Sequence, residues 1–379
     1  MRILYFAFYI FHFHFLFVPL HTNFCTMARR KSKSRIRTRR TFITILAAAL
    51  LFTAIYIAEQ YYRLEVCNFE SIDHESHGYY IYPNAPVDSV LTIIAADYDI
   101  ANRHDWKKHC RTMLFTTARA GYYELPRRFG DKHLINRLQL GRETPVRLTW
   151  TNQVRTREQL AQRLSRQLLL DSASISRCLN SNEFMANYGL NRETAICLFL
   201  PNTYEVYWSL SAEQLFDRMH KEYRKFWTEE RLTQASEIGL SPSQVATLAS
   251  IVESETNNRA EHAVIAGLYM NRLHKGMALQ ACPTVIFANG DFSIRRVTGH
   301  HTSIDSPYNT YRYRGLPPGP IRCANAVTLD AVLHYDHNNY LYMCANPDFS
   351  GTHVFSSTYA QHSATARRYQ RELNRRKIH

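Results

Sequence analysis

Acidic residues are scarce in this 379-residue chain: 32 Asp and Glu stand against 46 Lys and Arg, for a formal charge of +14. The excess is largely local. Residues 28–40, ARRKSKSRIRTRR, hold eight Lys or Arg. A nucleic-acid reading of this tail is weak, because the charge directly precedes an apolar run and suits anionic lipids and membrane topology. The eight cysteines contain no CxxC pair, and their intervals match no zinc pattern. Seven of them lie after the apolar run; an odd number leaves at least one unpaired, and buried free thiols are expected for most. No internal repeat or low-complexity tract follows the tail. With 45% hydrophobic residues, global disorder is excluded and a packed core is expected.

Charge is also missing from Thr41 to Ala58, TFITILAAALLFTAIYIA, for eighteen residues. A helix of about 20 apolar residues crosses a bilayer, and tilt or flanking aromatics cover a small deficit. The basic flank predicts a cytoplasmic N-terminus, with tyrosines after the span at the interface. The body is then expected outside the cytoplasm. No small-x-small cleavage site follows closely, so the span reads as an uncleaved anchor. Residues 1–26 are aromatic and poor in charge, and a start at Met27 is expected. The alternative for that segment is a second short membrane segment.

Residues 79–150 read as a small α+β unit after a linker over 59–78. YYIYP, GYYELP and ETPVRLTW suggest strands; PVDSVLTIIAA and DKHLINRLQLG suggest helices, the second closed by Gly141. From Thr156 the pattern is mainly helical. Leu160, Leu164, Leu168 and Leu169 have amphipathic spacing, and residues 211–239 read as one long helix or two.

LSPSQVATLASIVESET has a marked helix start. Ser241 is the N-cap, Pro242 fits the first helical position, and Gln244 sits at the capping-box position. Val245, Leu248, Ala249 and Val252 form the apolar stripe. Glu253 adjoins that stripe, and Glu255 points about 200° away from it, so one helix cannot aim both at one bond. Glu253 is the better candidate acid. Partial burial and the negative helix end would raise its carboxyl pKa, as a general acid requires. Glu255 is expected to support the local turn or face solvent.

LASIVESET, NRL at 271–273, GMALQACPTVIFANG, SPYNTYRYRGLPPGPI, YLYMCA and THVFSSTYAQH follow in that order. Together they resemble the endolytic murein transglycosylases of the YceG-like family, from about residue 156 to the end. The Tyr79–Trp150 unit resembles that family's LysM-like subdomain. The fold this implies is α+β: an N-terminal transmembrane helix over 41–58, a small LysM-like α/β subdomain over 79–150, and a mixed, mainly helical YceG-like catalytic domain over 156–379.

The resemblance implies a lyase of the inner membrane that cuts nascent glycan strands internally. It would cleave the β-1,4 bond between N-acetylmuramic acid and N-acetylglucosamine and leave 1,6-anhydro ends, terminating strand growth. Peptidoglycan strands are the expected partner, with peptidoglycan synthases beside them. No nucleic acid, metal or cofactor is expected; the pair His334 and His337 lacks further clustered ligands. The family's catalytic glutamate falls on Glu253. Asn271, Arg272, Gln280, Tyr308, Asn309 and Tyr311 combine amides, a guanidinium and phenols suited to sugar. Glu261, Glu255, His353 and His362 are possible supporting residues, Glu261 as a structural holder of Arg272 or a loop. One departure is Cys282-Pro283-Thr284, where the family usually has Asp-Pro-Thr. Two alternatives stay open: a hydrolytic muramidase using Asp291, Asp305 or Glu261 as second carboxylate, and a non-catalytic wall-binding scaffold.

Overall fold

The computed structural model describes residues 28–376. The expectation about Met27 and the segment before it lies outside the described residues. Helix α1 (Ala28–Glu65) carries the basic tail and the apolar run without a break. Its stretch Arg37–Glu65 is long and apolar enough to cross a membrane, and none of its apolar window is buried against the protein.

The expected linker over 59–78 is ordered secondary structure. The end of α1 occupies 59–65, and β1 (Phe69–Ser71) and β2 (His77–Ile81) follow. The small module continues through α2 (Val87–Ile94), β3 (Tyr98–Ile100), α3 (Arg103–Thr112), β4 (Gly121–Leu125), β5 (Arg128–Phe129) and α4 (Asp131–Leu140). Strand β1 is central, antiparallel to β3 and β5, and β2 pairs antiparallel with β4. Phe69, Trp106, Phe129 and Leu134 fill the core between strands and helices. Gly141 ends α4 in the left-handed region at φ 67°, where glycine carries no side-chain penalty.

The strand expected to close this module belongs elsewhere. β6 (Val146–Thr149) pairs antiparallel with β7 (Thr203–Val206), with Leu148 opposite Tyr204. Leu148 and Trp150 are buried in a second core with Leu160, Phe199 and Phe216. Helix α5 (Arg157–Ser165) presents Leu160 and Leu164 to that core. The region 211–239 is two helices, α6 (Ala212–Phe226) and α7 (Glu229–Glu237). Thr228 caps the second by accepting from the backbone N–H of Arg231, so the chain restarts there.

A third core holds the end of the chain. It packs α8 (Pro242–Glu255), α9 (His262–His274) and α11 (Ala326–Leu333), with α10 (Cys282–Asn289) alongside α8. Gly267 of α9 has no room for a side chain: a Cβ there would lie 2.1 Å from the carbonyl oxygen of Asp336. The hairpin of β8 (Tyr342–Ala345) and β9 (His353–Ser356) then leads into α12 (Tyr359–Arg375). The fold is mixed α+β with a mainly helical larger part. Seven free thiols occur among the described residues: Cys110, Cys197 and Cys323 are buried, and Cys282 is exposed.

Candidate active site

Helix α8 starts as its sequence predicts. Ser241 accepts from Gln244 N, and the Gln244 side chain accepts from Ser241 N, completing the capping box ahead of Pro242. Every residue from Val245 to Glu253 is buried, so the helix is enclosed on all sides rather than along one stripe. Its last turn carries the two glutamates into different surroundings.

Glu253 is 6% exposed. Its Oε1 accepts from Asn152 Nδ2 at 3.0 Å and also from Asn325 Nδ2. Its Oε2 accepts from the backbone N–H of Asn325 at 2.9 Å. Asn325 stands at the N-cap of α11, yet its side chain makes no capping bond there. The amide serves the carboxylate instead, at the positive end of the helix. Arg322 ties the arrangement together. It donates from Nε to the Asn152 carbonyl at 2.7 Å and from Nη1 to the Glu253 carbonyl at 3.2 Å. Burial pushes the Arg322 guanidinium down, and the Glu253 charge opposes that shift.

Glu255 does not face solvent. It is half-buried and accepts from the Tyr269 hydroxyl at 2.7 Å. Burial pushes its carboxyl above the usual range; the Tyr269 bond and the nearby His353 and Arg272 pull the other way. Tyr269 is itself raised well above a free phenol, by burial and by Glu255. Burial therefore biases the Glu255 carboxyl toward the neutral acid.

The other candidates divide into braces and free surfaces. Asn271 donates to the carbonyls of Asn338 at 2.8 Å and Tyr340 at 3.0 Å. Arg272 is buried and donates to the carbonyls of Leu341, Ala278 and Leu279. Its guanidinium lies 5.3 Å from the Tyr342 ring centroid. Asn309 is fully buried and bonds the carbonyls of Thr302 and Ile304. These three side chains hold loops in place. Gln280 is exposed at φ 51°, with its side-chain oxygen 3.4 Å from Arg272. Tyr308 packs its ring 4.7 Å from Phe287, and burial pushes its phenol up to about 12. The Tyr311 hydroxyl lies 3.2 Å from the Cys282 sulfur.

Glu261 bonds His353 rather than Arg272. It accepts from the His353 backbone N–H at 2.7 Å and pairs with Nδ1 at 2.9 Å, pinning the start of β9. His362 stacks on Tyr342 at 5.4 Å, and burial lowers its pKa. Asp291 caps Ser293, and Asp305 accepts from Tyr313 and lies near Arg312. Neither bonds the groups around Glu253. His334 bonds the Asp330 carbonyl. Among the described residues no group of three or more His, Cys, Asp or Glu converges on one point.

Sequence reasoning missed Asn152, Arg322 and Asn325. Asn152 is 101 positions from Glu253 and Asn325 is 72, so no local spacing could reveal them. Asn325 did stand at a legible position, immediately before an apolar helical run.

A model of the YceG-like family matches residues 79–368. The chain is 40% identical over 130 residues to an endolytic murein transglycosylase of Bacillus subtilis strain 168, covering 34% of this chain and 35% of that protein. It is 27% identical over 262 residues to an endolytic murein transglycosylase of Streptococcus pneumoniae, covering 61% of this chain and 47% of that one. The matches thus span about a third to a half of those relatives' length. A YceG-like protein of Listeria monocytogenes, known from a crystal structure, superposes with a TM-score of 0.51 at 27% identity, over 76% of this chain and 98% of that one. A family match across most of the chain, joined to a fold shared with that solved relative, places this protein in the YceG-like family.

Proposed function

We propose that the chain is a membrane-anchored endolytic transglycosylase of nascent peptidoglycan, with Glu253 as its acid and base. The observation that carries this reading is the Glu253 carboxyl itself, fixed at the end of a buried helix by donors from two distant chain segments. The relatives named endolytic murein transglycosylases support the substrate class.

The reaction fits one carboxyl group. Glu253 protonates the glycosidic oxygen between N-acetylmuramic acid and N-acetylglucosamine. The muramyl C6 hydroxyl then attacks the anomeric carbon and gives its proton to the same carboxylate, leaving a 1,6-anhydro end. Asn152 and Asn325 hold the carboxyl in one orientation through both transfers. Arg322 places positive charge beside it when it is ionised. Tyr308, Tyr311 and Gln280 are the sugar contacts in this reading; Asn271, Arg272 and Asn309 shape the wall behind them.

The small module serves as a LysM-like glycan-holding unit. Helix α1 crosses the membrane with its basic end in the cytoplasm, and the catalytic part lies outside, beside a peptidoglycan synthase whose strands it cuts.

One observation favours a second reading, in which Glu255 moves the proton: burial raises its carboxyl above the usual range. A single experiment separates the two. Wild type, E253Q and E255Q are incubated with uncrosslinked glycan strands, and products are read by mass spectrometry. Internal fragments about 18 Da lighter than hydrolytic ones are expected from wild type and E255Q, and none from E253Q. Loss only in E255Q would transfer the role. Hydrated fragments would make the enzyme a hydrolase, and no fragments from folded wild type would favour a binding role.

A further inference from the structure

Helix α1 does not end at the membrane. It runs unbroken from the apolar run to Glu65 and docks on the small module. Arg63 pairs with the buried Asp105 at 2.6 Å, and Glu65 pairs with Lys132 at 2.5 Å. Gly130 lies so close that a Cβ would meet the Leu64 carbonyl oxygen at 2.4 Å. The module is clamped to the helix with no flexible spacer between them.

The clamp has a direction. On α3, Asp105 meets Arg63; one turn later Lys108 meets Gln60 at 3.2 Å and lies 5.9 Å from the Tyr56 ring centroid. Advancing along α3 thus retreats along α1, toward the apolar run that ends at Ala58. At 1.5 Å per residue, Arg111 lies up to about 4.5 Å beyond Lys108 in that direction. The polar headgroup zone on each side of a bilayer is about 5–7 Å deep. With α1 as the span, the end of α3 comes within reach of it.

What α3 presents there is one-signed. Arg103, His104, Lys107, Lys108, Arg111 and Thr112 are exposed, and the helix's only acid, Asp105, is buried against Arg63. The turn that follows carries Leu114, 82% exposed and held at φ 53°. Lys107, Arg111 and Leu114 border a groove of about 500 Å³ floored by Trp106 and Phe115, with Asp88 as its one acid.

We propose that this face, the basic side of α3 with the Leu114 turn, is a second membrane contact that takes anionic phospholipid headgroups. Lys107, Lys108 and Arg111 meet the phosphates, and Leu114 reaches the acyl boundary. The arrangement fixes the height and tilt of the body above the bilayer. The proposal rests on reading α1 as a membrane span.

The test uses the full chain reconstituted in vesicles of phosphatidylglycerol and phosphatidylcholine. A nitroxide is carried on an unnatural residue at Leu50, Leu114 or Tyr207, and collisions with oxygen and with a water-soluble nickel chelate are measured. Leu50 is expected to be shielded from the chelate and Tyr207 open to it. Leu114 is expected to be at least about threefold less accessible to the chelate than Tyr207. The charge reversal K107E/R111E, or vesicles of phosphatidylcholine alone, should return Leu114 toward the Tyr207 value. Leu114 as open as Tyr207 with Leu50 still shielded would overturn the contact and leave the span standing. Shielding of Leu114 that ignores both lipid charge and K107E/R111E would overturn the anionic recognition. Leu50 open to the chelate would overturn the span, and the contact with it.

Discussion

Glu253 and Glu255 are two residues apart on one helix, yet their neighbourhoods differ in kind. Among the described residues the Glu253 carboxyl meets N–H donors: the amides of Asn152 and Asn325 and a backbone N–H at the start of α11. Such a shell fixes the orientation of a carboxyl. Glu255 meets a phenol, and burial is the dominant influence on its acidity. Such a shell favours the neutral acid. The helical rotation of about 100° per residue is enough to separate two acids of one helix end into an orienting cage and a desolvated recess. Asn325, Arg322 and Asn152 belong to the first; Tyr269, with Arg272 and His353 at longer range, belongs to the second.

The strongest way to break this contrast is at Glu253. E253Q should lower glycan cleavage by about 10³-fold or more, within the range of a lost general acid–base group, with an unchanged circular dichroism spectrum. An E253Q enzyme that keeps more than a tenth of wild-type turnover would end its catalytic role.

Next comes the cage. Asn325→Ala removes one of the three bonds to Glu253, the one from its side-chain amide, since the backbone N–H stays. Turnover should fall by roughly 10- to 100-fold with little change in KM, because orientation rather than sugar binding is lost. Steady-state kinetics on defined strands would register the split.

Tyr269→Phe probes the other side. It strips the half-buried Glu255 of its hydrogen bond and should cost about 1 kcal/mol of stability in urea unfolding, while cleavage changes by less than about threefold. A cleavage loss as large as that of Asn325→Ala would join the two neighbourhoods into one site.

The smallest effect is a pH dependence. Burial makes the folded chain hold the Glu255 proton more tightly than the unfolded chain does. As pH rises past about 4.3, the unfolded carboxyl ionises first, and ionisation costs the folded state more. Glu255 therefore weakens the fold increasingly until pH passes its raised folded value. E255Q, which still accepts from Tyr269, should melt higher than wild type near pH 7, by on the order of 2 °C, and the gap should close toward pH 4. Parallel melting curves at both pH values would remove desolvation from the account of Glu255.

Helix α8 was legible almost residue by residue, because Ser241, Pro242 and Gln244 act through contacts three residues long. The same holds for α4 and its Gly141 terminator. Helix α3 was not legible. Its inner face uses Asp105 and His109 beside Trp106 and Cys110, and the polar pair is buried only because Arg63 and Asp131 answer it. No hydropathy period can report such a face. The strand Val146–Thr149 was seen as a strand but assigned to the wrong neighbours, since its partner lies more than fifty residues on.

From sequence alone came the apolar run with its basic flank, the mixed α+β character, the helix carrying two glutamates, and the ordered blocks that resemble a known family. Each rests on interactions along the chain or on the bare order of residues. Tertiary structure decided what surrounds each glutamate, which amides became braces, and that the long apolar helix passes into the body without a linker. The Arg63–Asp105 pair and the bonds of Asn325 and Asn152 to Glu253 join groups 42, 72 and 101 positions apart, and that is a property of packing that no local pattern contains.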